Sequence, residues 1–242
     1  MPVDQYIGGV EHAVMHLLYS RFFMRALKHV NSINLEEPFT SLQTQGMVCH
    51  QTFKTNKEQW VFPSDVIQKD NEYFHLQTKE PVIAGRIEKM SKSKKNVVDP
   101  QQIIDDFGAD TARFFMLSDS PPNRDMEWSD SGVEGSWRFL NKLWKFVIAL
   151  PNKNSKDELP TNISLKNREL LTFMNTTIKD VTKAIDEFHF NIAVAQIRSL
   201  FNLVSSYKIE NDNDAKVVLF VTSKLLILIN PMVPHLAEEL WF

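Results

Sequence analysis

The sequence has almost no cysteine and no long uninterrupted apolar run. Cys49 is the only cysteine among 242 residues, which excludes an internal disulfide framework and a multi-cysteine zinc site and fits a reducing compartment. The most apolar stretch, VVLFVTSKLLILI, is interrupted by Lys224 and is shorter than the roughly 20 residues that a membrane span needs. The opening MPVDQYIGGVEH has neither the basic start nor the apolar run of a signal peptide. We therefore expect a soluble intracellular protein with no membrane partner.

An excess of positive charge is also missing. The formal net charge is −3, so any contact with a nucleic acid must come from local patches of the surface. Hydrophobic residues make up 43% of the chain, which is enough to bury a sizeable core. The length allows one large domain or two modest ones.

The first 30 residues predict one strand and one helix. DQYIGG is typical of a short strand that ends in a glycine turn. From Glu11 to about His29 the pattern predicts a helix, because apolar residues recur at helical spacing: Val14, Leu17, Leu18, Phe22 and Leu27. This is one β-α step of an α/β sheet.

Residues 46–85 change in character. GMVCHQTF, EQWVFP and EYFHLQT are short, β-branched and aromatic, which predicts a small antiparallel patch. Pro100 can open a helix that Asp99 caps, and Gly108 is expected to separate two short helices. SPPNRDMEW predicts a rigid loop.

From Ser129 onward the whole pattern is helical. Apolar stripes lie near residues 130–150, 165–187, 190–208 and 214–230, separated by polar connectors such as PNKNSKDELPTN and IENDND. Such lengths and loops predict an antiparallel helix bundle, closed by the amphipathic PHLAEELWF. We place the domain boundary so that the two domains are residues 1–120 and 121–242.

A cluster of lysines lies at residues 89–96, KMSKSKKN, here called the lysine loop. A charge run is usually a solvated surface, but here serines and lysines alternate behind Gly85 and before a helix start. Lysine is a compact charge on a flexible stem, and serine hydroxyls add donors. Such a loop can neutralise charge that develops on a triphosphate in the transition state.

KMSKS at Lys89–Ser93 resembles the second catalytic motif of the class I aminoacyl-tRNA synthetases. With NVVDP and FGADTARFFMLSDSPPNRDMEWSDSGVEGSWRFLNKLW the resemblance becomes strong, and YIGGVEHAVMHLLYSRFF and TQGMV narrow it to the leucyl-tRNA synthetases of bacterial or organellar type. The resemblance runs from Pro2 through PHLAEELW. It implies a mixed fold: the C-terminal part of a Rossmann-like α/β catalytic domain with a small β patch, followed by an all-α anticodon-binding bundle, truncated at its C-terminus.

The resemblance also implies a reaction and a place in the cell. Members of this family activate leucine with ATP and Mg²⁺, form leucyl-adenylate and pyrophosphate, and esterify the terminal adenosine of leucine tRNA. The compartment is the bacterial cytoplasm or an organellar matrix. Lys92 is then the catalytic lysine that holds the phosphates, assisted by Lys89, while Lys94 and Lys95 face solvent or the tRNA. The implied ATP-binding residues are Gly8, Gly9, Glu11, Gly46, Met47, Val48, Met90, Ser91, Lys92 and Ser93.

The residue types of the turn at Gly8–Glu11 also suit nucleotide binding on physical grounds. Gly8 and Gly9 carry no Cβ and let a ligand approach closely, and Glu11 can accept hydrogen bonds from ribose hydroxyls. By resemblance His12 and His16, one helical turn apart, line the leucine pocket. The glycines are also compatible with an ordinary turn, and the histidines with packing or a zinc ion. Their order differs from HExxH and no third ligand is evident, so we expect no protein-bound metal.

The helical half contains cations next to aromatic residues, as RNA-binding surfaces do. Arg124, Arg138 and Lys142 are candidate tRNA contacts, together with Trp128 and Trp137. Core packing is the alternative for Trp137, Leu140, Leu143 and Trp144. We favour the core for Trp144.

The sequence departs from the family pattern in several ways. It has no HIGH-type motif, no editing domain and no C-terminal extension, and the N-terminal half of the catalytic domain is missing. Since losing one electrostatic donor commonly costs about 100- to 1000-fold in rate, we expect the polypeptide alone to make no useful leucyl-adenylate. The alternatives are a non-catalytic tRNA-binding module, a synthetase for valine, isoleucine or methionine, and a zinc hydrolase at His12 and His16.

Overall fold

The structure is a computed structural model that describes residues 1–12, 15–150 and 159–241. The chain forms two compact units: Met1–Val98 with Pro122–Trp128, called the sheet unit, and Asp99–Pro121 with Ser129–Phe242, called the helical unit. These limits differ from the boundary predicted between residues 120 and 121. Residues 99–121 pack with the helices because Phe114 is fully buried in their core, and residues 122–128 join the sheet unit through strand pairing.

The sheet unit begins with a parallel pair of strands. Strand β1 (Val3–Gly9) lies parallel to β2 (Phe39–Gln45), with Gly9 opposite Gln45. The predicted strand is confirmed, but it continues through both glycines, so the chain turns only at Val10–His12, which form a 3₁₀ turn.

Helix α1 (His16–His29) follows this turn. The helix predicted from Glu11 therefore begins five residues later, because Glu11 and His12 lie in the 3₁₀ turn. Ala13 and Val14, the latter part of the predicted apolar stripe, lie outside the described residues. Met24 is buried on α1, whereas several large apolar side chains of this helix remain more than 60% exposed: Leu18, Tyr19, Phe22 and Phe23.

A second sheet forms the rest of the sheet unit. Its path is β4-β3-β7-β6-β5, antiparallel throughout, and β8 pairs parallel to β3. Phe53, Val61 and Val82 form its small core. The predicted antiparallel patch is confirmed, and a strand lies inside the segment predicted to be a loop at SPPNRDMEW. The bounds are β3 Val48–Thr55, β4 Trp60–Val61, β5 Val66–Lys69, β6 Glu72–His75, β7 Pro81–Lys89 and β8 Met126–Glu127.

The helical unit opens with the two short helices that the sequence predicts. Asp99 caps the first, accepting a hydrogen bond from the Gln101 backbone N–H at 3.0 Å. Gly108 separates the two with a φ of 86°, a left-handed conformation that glycine adopts without a Cβ clash. They are α2 (Pro100–Phe107) and α3 (Ala109–Ser118).

The remaining helices match the predicted bundle. Ser129, Ser164 and Asn211 cap three of them through their side chains. Most of the predicted connector PNKNSKDELPTN lies outside the described residues. The helices are α4 (Asp130–Ala149), α5 (Leu165–Asp186), α6 (Phe190–Ser205), α7 (Asp212–Ile229) and α8 (Pro234–Leu240).

The core of the helical unit is apolar and continuous. Leu143, Ile197 and Leu225 are fully buried in it. Trp144 packs against this core, as predicted, whereas Trp137 is 43% exposed and meets Phe107 edge to face. No helix in the described part of the chain is long and apolar enough to cross a membrane.

Candidate functional site

The lysine loop begins where β7 ends. Lys89 is the last residue of β7 and pairs with Cys49 of β3. The Met90 N–H then donates to the Val48 carbonyl at 3.0 Å. Beyond it the backbone folds back on itself, with the Lys94 N–H donating to the Ser91 carbonyl and the Lys95 N–H to the Lys92 carbonyl. The sheet therefore presents the lysine loop as a short turn at a strand end.

The four lysines of this turn differ in their partners. Lys89 Nζ lies 3.2 Å from Glu11 Oε1, and Lys94 forms an ion pair with Glu88. Lys95 Nζ lies 5.2 Å from the centre of the Phe62 ring. Lys92 is exposed, and among the described residues it has no ion pair or ring contact. Lys94 and Lys95, expected to face solvent or tRNA, thus each have a protein partner.

Two serines lie beside Lys92. Their hydroxyls, Ser91 Oγ and Ser93 Oγ, are 2.6 Å apart. The Ser91 N–H donates to Asn96 Oδ1 at 2.9 Å. Within the described part of the chain, the turn therefore carries one ammonium group without an ion pair, flanked by two hydroxyls, an arrangement that suits an anionic oxygen-rich ligand.

Asn96 is the residue of this site that sequence reasoning missed. Its side chain is fully buried and donates to the carbonyls of His50, Glu88 and Lys89 at 3.1, 3.1 and 3.3 Å. An asparagine after a lysine run is typical of any polar turn. The sequence carries no signal that its amide reaches two strands.

Glu11 and Gly9 lie close together at the end of β1. A Cβ on Gly9 would lie 2.7 Å from the Glu11 carboxylate. A hydrogen bond from its own backbone N–H lowers the pKa of Glu11; desolvation opposes this, and the hydrogen bond and charge of Lys89 lower the pKa further. Glu11 is therefore a carboxylate at neutral pH and brings the predicted adenosine end and the lysine loop into one site.

The predicted leucine-binding histidines lie in an aromatic cluster. The His16 ring stacks on Tyr6 at 5.4 Å, and Tyr6 contacts Phe39 at 4.5 Å. The His12 and His16 rings are 6.4 Å apart and perpendicular. His12 lies in the 3₁₀ turn and His16 opens α1. Within the described residues no three His, Cys, Asp or Glu side chains are grouped as metal ligands would be.

The segment Gln45–Val48, predicted to run along the adenine ring, is tightly held. The Gly46 N–H donates to the Pro122 carbonyl and the Met47 N–H to Asp125 Oδ1, both at 2.8 Å. A Cβ on Gly46 would lie 2.2 Å from the Arg124 carbonyl group. Glycine is therefore required there by close backbone approach, and Asp125 is a second residue that the sequence did not single out.

The predicted tRNA contacts do not all belong to one unit. Arg124 and Trp128 lie in the sheet unit, because residues 122–128 pair with β3 there. Arg138 and Lys142 lie on α4, and they line a cavity of about 330 Å³ with neighbouring residues of the same helix, here called the α4 basic face: Trp137, Arg138, Asn141, Lys142 and Lys145. Arg138 pairs with Glu134 at 3.3 Å.

Two family models match the chain. The model described as tRNA synthetases class I (I, L, M and V) covers residues 58–129, which include the lysine loop. The model described as the anticodon-binding domain of tRNA ligase covers residues 167–242, which include α5 to α8.

Relatives cover the whole chain. The leucine–tRNA ligase of Paramagnetospirillum magneticum is 48% identical over all 242 residues, and that of Rickettsia prowazekii is 45% identical. The chain is similar to leucine–tRNA ligases over its whole length. It spans 28% of the length of each of these two relatives.

Solved structures agree with this similarity. A leucyl-tRNA synthetase of Agrobacterium radiobacter, in a ternary complex with tRNA and LeuAMS, matches 100% of this chain with a TM-score of 0.76 and 29% identity, and the match covers 27% of that chain. The methionyl-tRNA synthetase of Mycobacterium tuberculosis matches at a TM-score of 0.62 and 17% identity, over 99% of this chain and 43% of the other. The latter shows a shared fold alone.

Proposed function

We propose that this chain supplies the lysine loop and the anticodon-binding helices of a leucine–tRNA ligase. The reaction joins leucine to ATP, with Mg²⁺ as part of the nucleotide substrate, and releases pyrophosphate. The leucyl group then passes to the terminal adenosine of leucine tRNA. The observation that carries the proposal is that Lys92 is exposed and has no ion pair with any residue in the described ranges, whereas the other lysines of its loop each contact a protein side chain.

Lys92 acts on the phosphates in this proposal. When the leucine carboxylate attacks the α-phosphorus, negative charge develops on the departing pyrophosphate oxygens, and an ammonium group next to them stabilises the transition state more than the ground state. Ser91, Ser93 and the Met90 backbone border the same space, and Lys89 assists from the strand end. Lys89 also holds the Glu11 carboxylate at 3.2 Å, which links phosphate binding to ribose binding.

The adenosine and the leucine occupy the neighbouring surfaces. Gly8 and Gly9 leave the end of β1 free of Cβ atoms on the nucleotide side. Glu11 donates no proton but has lone pairs beyond the one facing Lys89, with which it accepts from ribose hydroxyls. The strip Gly46–Val48 lies along the adenine ring. His12 and His16, the latter braced by Tyr6, contact the leucine side chain.

The tRNA contacts of this proposal are Arg124 in the sheet unit and the α4 basic face in the helical unit. Exposed Trp137 beside Arg138 and Lys142 offers a ring for base stacking next to cations for phosphates. The leucine tRNA named here rests on the similarity to leucine–tRNA ligases.

The exposed side of α1 supports a further part of the proposal, that other catalytic segments of the ligase cover it. Parallel strands are normally covered by packed elements on both faces of their sheet. The helix that follows the first of these strands, α1, nevertheless exposes Leu18, Phe22 and Phe23. A cavity of about 750 Å³ lies between α1 and β2. We propose that the N-terminal half of the catalytic domain packs there, in the cytoplasm or an organellar matrix.

Amino-acid-dependent ATP–pyrophosphate exchange tests the proposal. A full-length protein that carries this chain should exchange with leucine and about 10- to 200-fold less with valine, isoleucine or methionine, since a side chain of different size or branching costs about 1–3 kcal/mol in a fitted hydrophobic pocket. Exchange that prefers another amino acid would contradict the assignment to leucine. If the full-length protein binds tRNA but shows no exchange with any amino acid, a non-catalytic tRNA-binding module is favoured instead. The 242-residue chain alone should show no useful exchange.

A further inference from the structure

One buried side chain holds both ends of the lysine loop. Asn96 is 0% exposed, and its amide donates to the His50 carbonyl of β3 and to the Glu88 and Lys89 carbonyls of β7. On the other side its Oδ1 accepts from the Ser91 N–H at 2.9 Å. The residues between Ser91 and Asn96 are thus closed into a ring by a side chain rather than by a backbone ladder.

The ring contains Lys92, the one of the loop's four lysines that has no ion pair or ring contact among the described residues. Lys92 follows Ser91 directly, and its carbonyl accepts from the Lys95 N–H at 3.3 Å. The position of the Lys92 Cα therefore depends on the Ser91 N–H at one side and on this turn at the other. Both depend on where Asn96 holds the chain relative to β3 and β7.

We propose that Asn96 is a positioning residue for adenylate formation, which acts by fixing the place of Lys92 over the phosphates. The inference rests on the function proposed above, because it needs Lys92 to act on the nucleotide. A charge placed about 1 Å away from its working position can cost about 100-fold in rate. Asn96 touches no substrate in this account.

The hydrogen-bonding groups of the Asn96 side chain determine which variants test its role. Asn96→Asp keeps the shape and the acceptor for Ser91 but removes both N–H donors and sets a carboxylate against three carbonyl oxygens. Asn96→Ser keeps one donor and one acceptor on a shorter side chain. The matched control is Asn167→Ser on α5, a buried asparagine of the helical unit whose amide donates to Asp214 Oδ1 at 2.9 Å.

The experiment is a double-mutant cycle on the full-length protein that carries this chain. Single-turnover leucyl-adenylate formation is measured for the wild type, Lys92→Ala, Asn96→Asp, Asn96→Ser and the two combinations with Lys92→Ala. Folding of each variant is checked by hydrogen exchange of the β3 and β7 amides. Interacting groups give non-additive effects, whereas independent ones give additive effects.

The expected result is an about 100-fold slower single-turnover rate for Asn96→Asp, a smaller loss for Asn96→Ser, and an unchanged Kd for leucine. In the Lys92→Ala background either change should cost less than about threefold, because there is no ammonium group left to misplace. Asn167→Ser should lower stability and leave the single-turnover rate within about twofold in both backgrounds.

Two failures are distinguishable. Equal losses from Asn96→Asp and Asn96→Ser in both backgrounds would overturn the positioning role and make Asn96 a structural residue, even with Lys92 confirmed. A Lys92→Ala variant as fast as the wild type would instead overturn the function proposed for the loop. If Asn96→Asp does not fold, the Asn96→Ser cycle decides alone by the same criterion.

Discussion

Replacing Gly46 by alanine should open the contact between two backbone segments of the sheet unit. A Cβ at this position would lie 2.2 Å from both atoms of the Arg124 carbonyl and 2.6 Å from the Asp125 nitrogen. All three are backbone atoms, so no side chain can rotate away. Since non-bonded carbon atoms rest at about 3.5–4.0 Å, the segments must separate by more than about 1 Å.

The magnitude follows from the hydrogen bonds at this contact. The Gly46 N–H donates to the Pro122 carbonyl, the Met47 N–H to Asp125 Oδ1 and the Met126 N–H to the Met47 carbonyl, each at 2.8 Å. A separation of this size breaks all three. At about 1 kcal/mol net for each hydrogen bond, Gly46→Ala should cost about 3 kcal/mol of local stability.

Hydrogen exchange read by mass spectrometry measures this loss directly. Peptides covering residues 45–49 and 122–128 should exchange about 100-fold faster in Gly46→Ala, since 1.4 kcal/mol corresponds to a factor of ten. The control is Gly135→Ala on α4, where the nearest atom to a new Cβ is Arg138 Nη2 at 3.8 Å. That change should stabilise the helix by about 0.5–1 kcal/mol. Unaltered hydrogen exchange in Gly46→Ala would refute the close backbone approach that holds Gly46–Val48, the segment predicted to lie along the adenine ring.

Two further predictions concern the lysine loop and its neighbour. Lys95 has a φ of 54°, so Lys95→Val should be about 1–2 kcal/mol less stable than Lys95→Gly in urea unfolding; equal stabilities would contradict the left-handed turn. The lowered pKa of Glu11 means that its interactions contribute above its ordinary value of 4.5 and are lost as pH falls through the lower folded value. NMR titration should therefore place the Glu11 midpoint below 4.5. Lys89→Met should raise it only part-way, since the Glu11 backbone N–H is the larger cause; a wild-type midpoint at or above 4.5 would argue against this environment.

The helical unit could be predicted from sequence in most of its elements. The stretches expected at residues 130–150 and 165–187 end within a residue of α4 and α5, because long amphipathic patterns and side-chain caps are local signals. The break at Gly108 and the helix start at Asp99 could also be predicted, since Gly108 supplies a left-handed φ and Asp99 supplies a cap.

The sheet unit was less predictable because its contacts are distant in the chain. PVIAGRIEK forms β7; one of its strand partners, β6, lies close by in the chain, but the other, β3, pairs with it across separations such as Cys49 to Lys89. The start of α1 was wrong because β1 continues through Gly8 and Gly9. Arg124 was expected with the helices, although residues 126 and 127 pair with β3.

In the candidate site, too, local patterns could be predicted from the sequence and contacts between distant residues could not. The lysine loop and the Gly-Gly-Val-Glu turn were visible as local patterns, and the structure brings Lys89 to Glu11 across 78 positions of sequence. Asn96 was not visible, because its role depends on carbonyl groups up to 46 positions away. The sequence also could not predict which loop lysine has no partner among the described residues, since that depends on the positions of Glu11, Glu88 and Phe62.

The central claim is that the ammonium group of Lys92 stabilises the transition state of leucine activation. Its most direct test is the single-turnover rate of adenylate formation in Lys92→Ala, measured at saturating ATP and leucine in the full-length protein. We predict a loss of about 100- to 1000-fold in this rate, with the Kd for leucine changed less than about twofold. A rate within threefold of the wild type, or a loss confined to leucine binding, would contradict the claim.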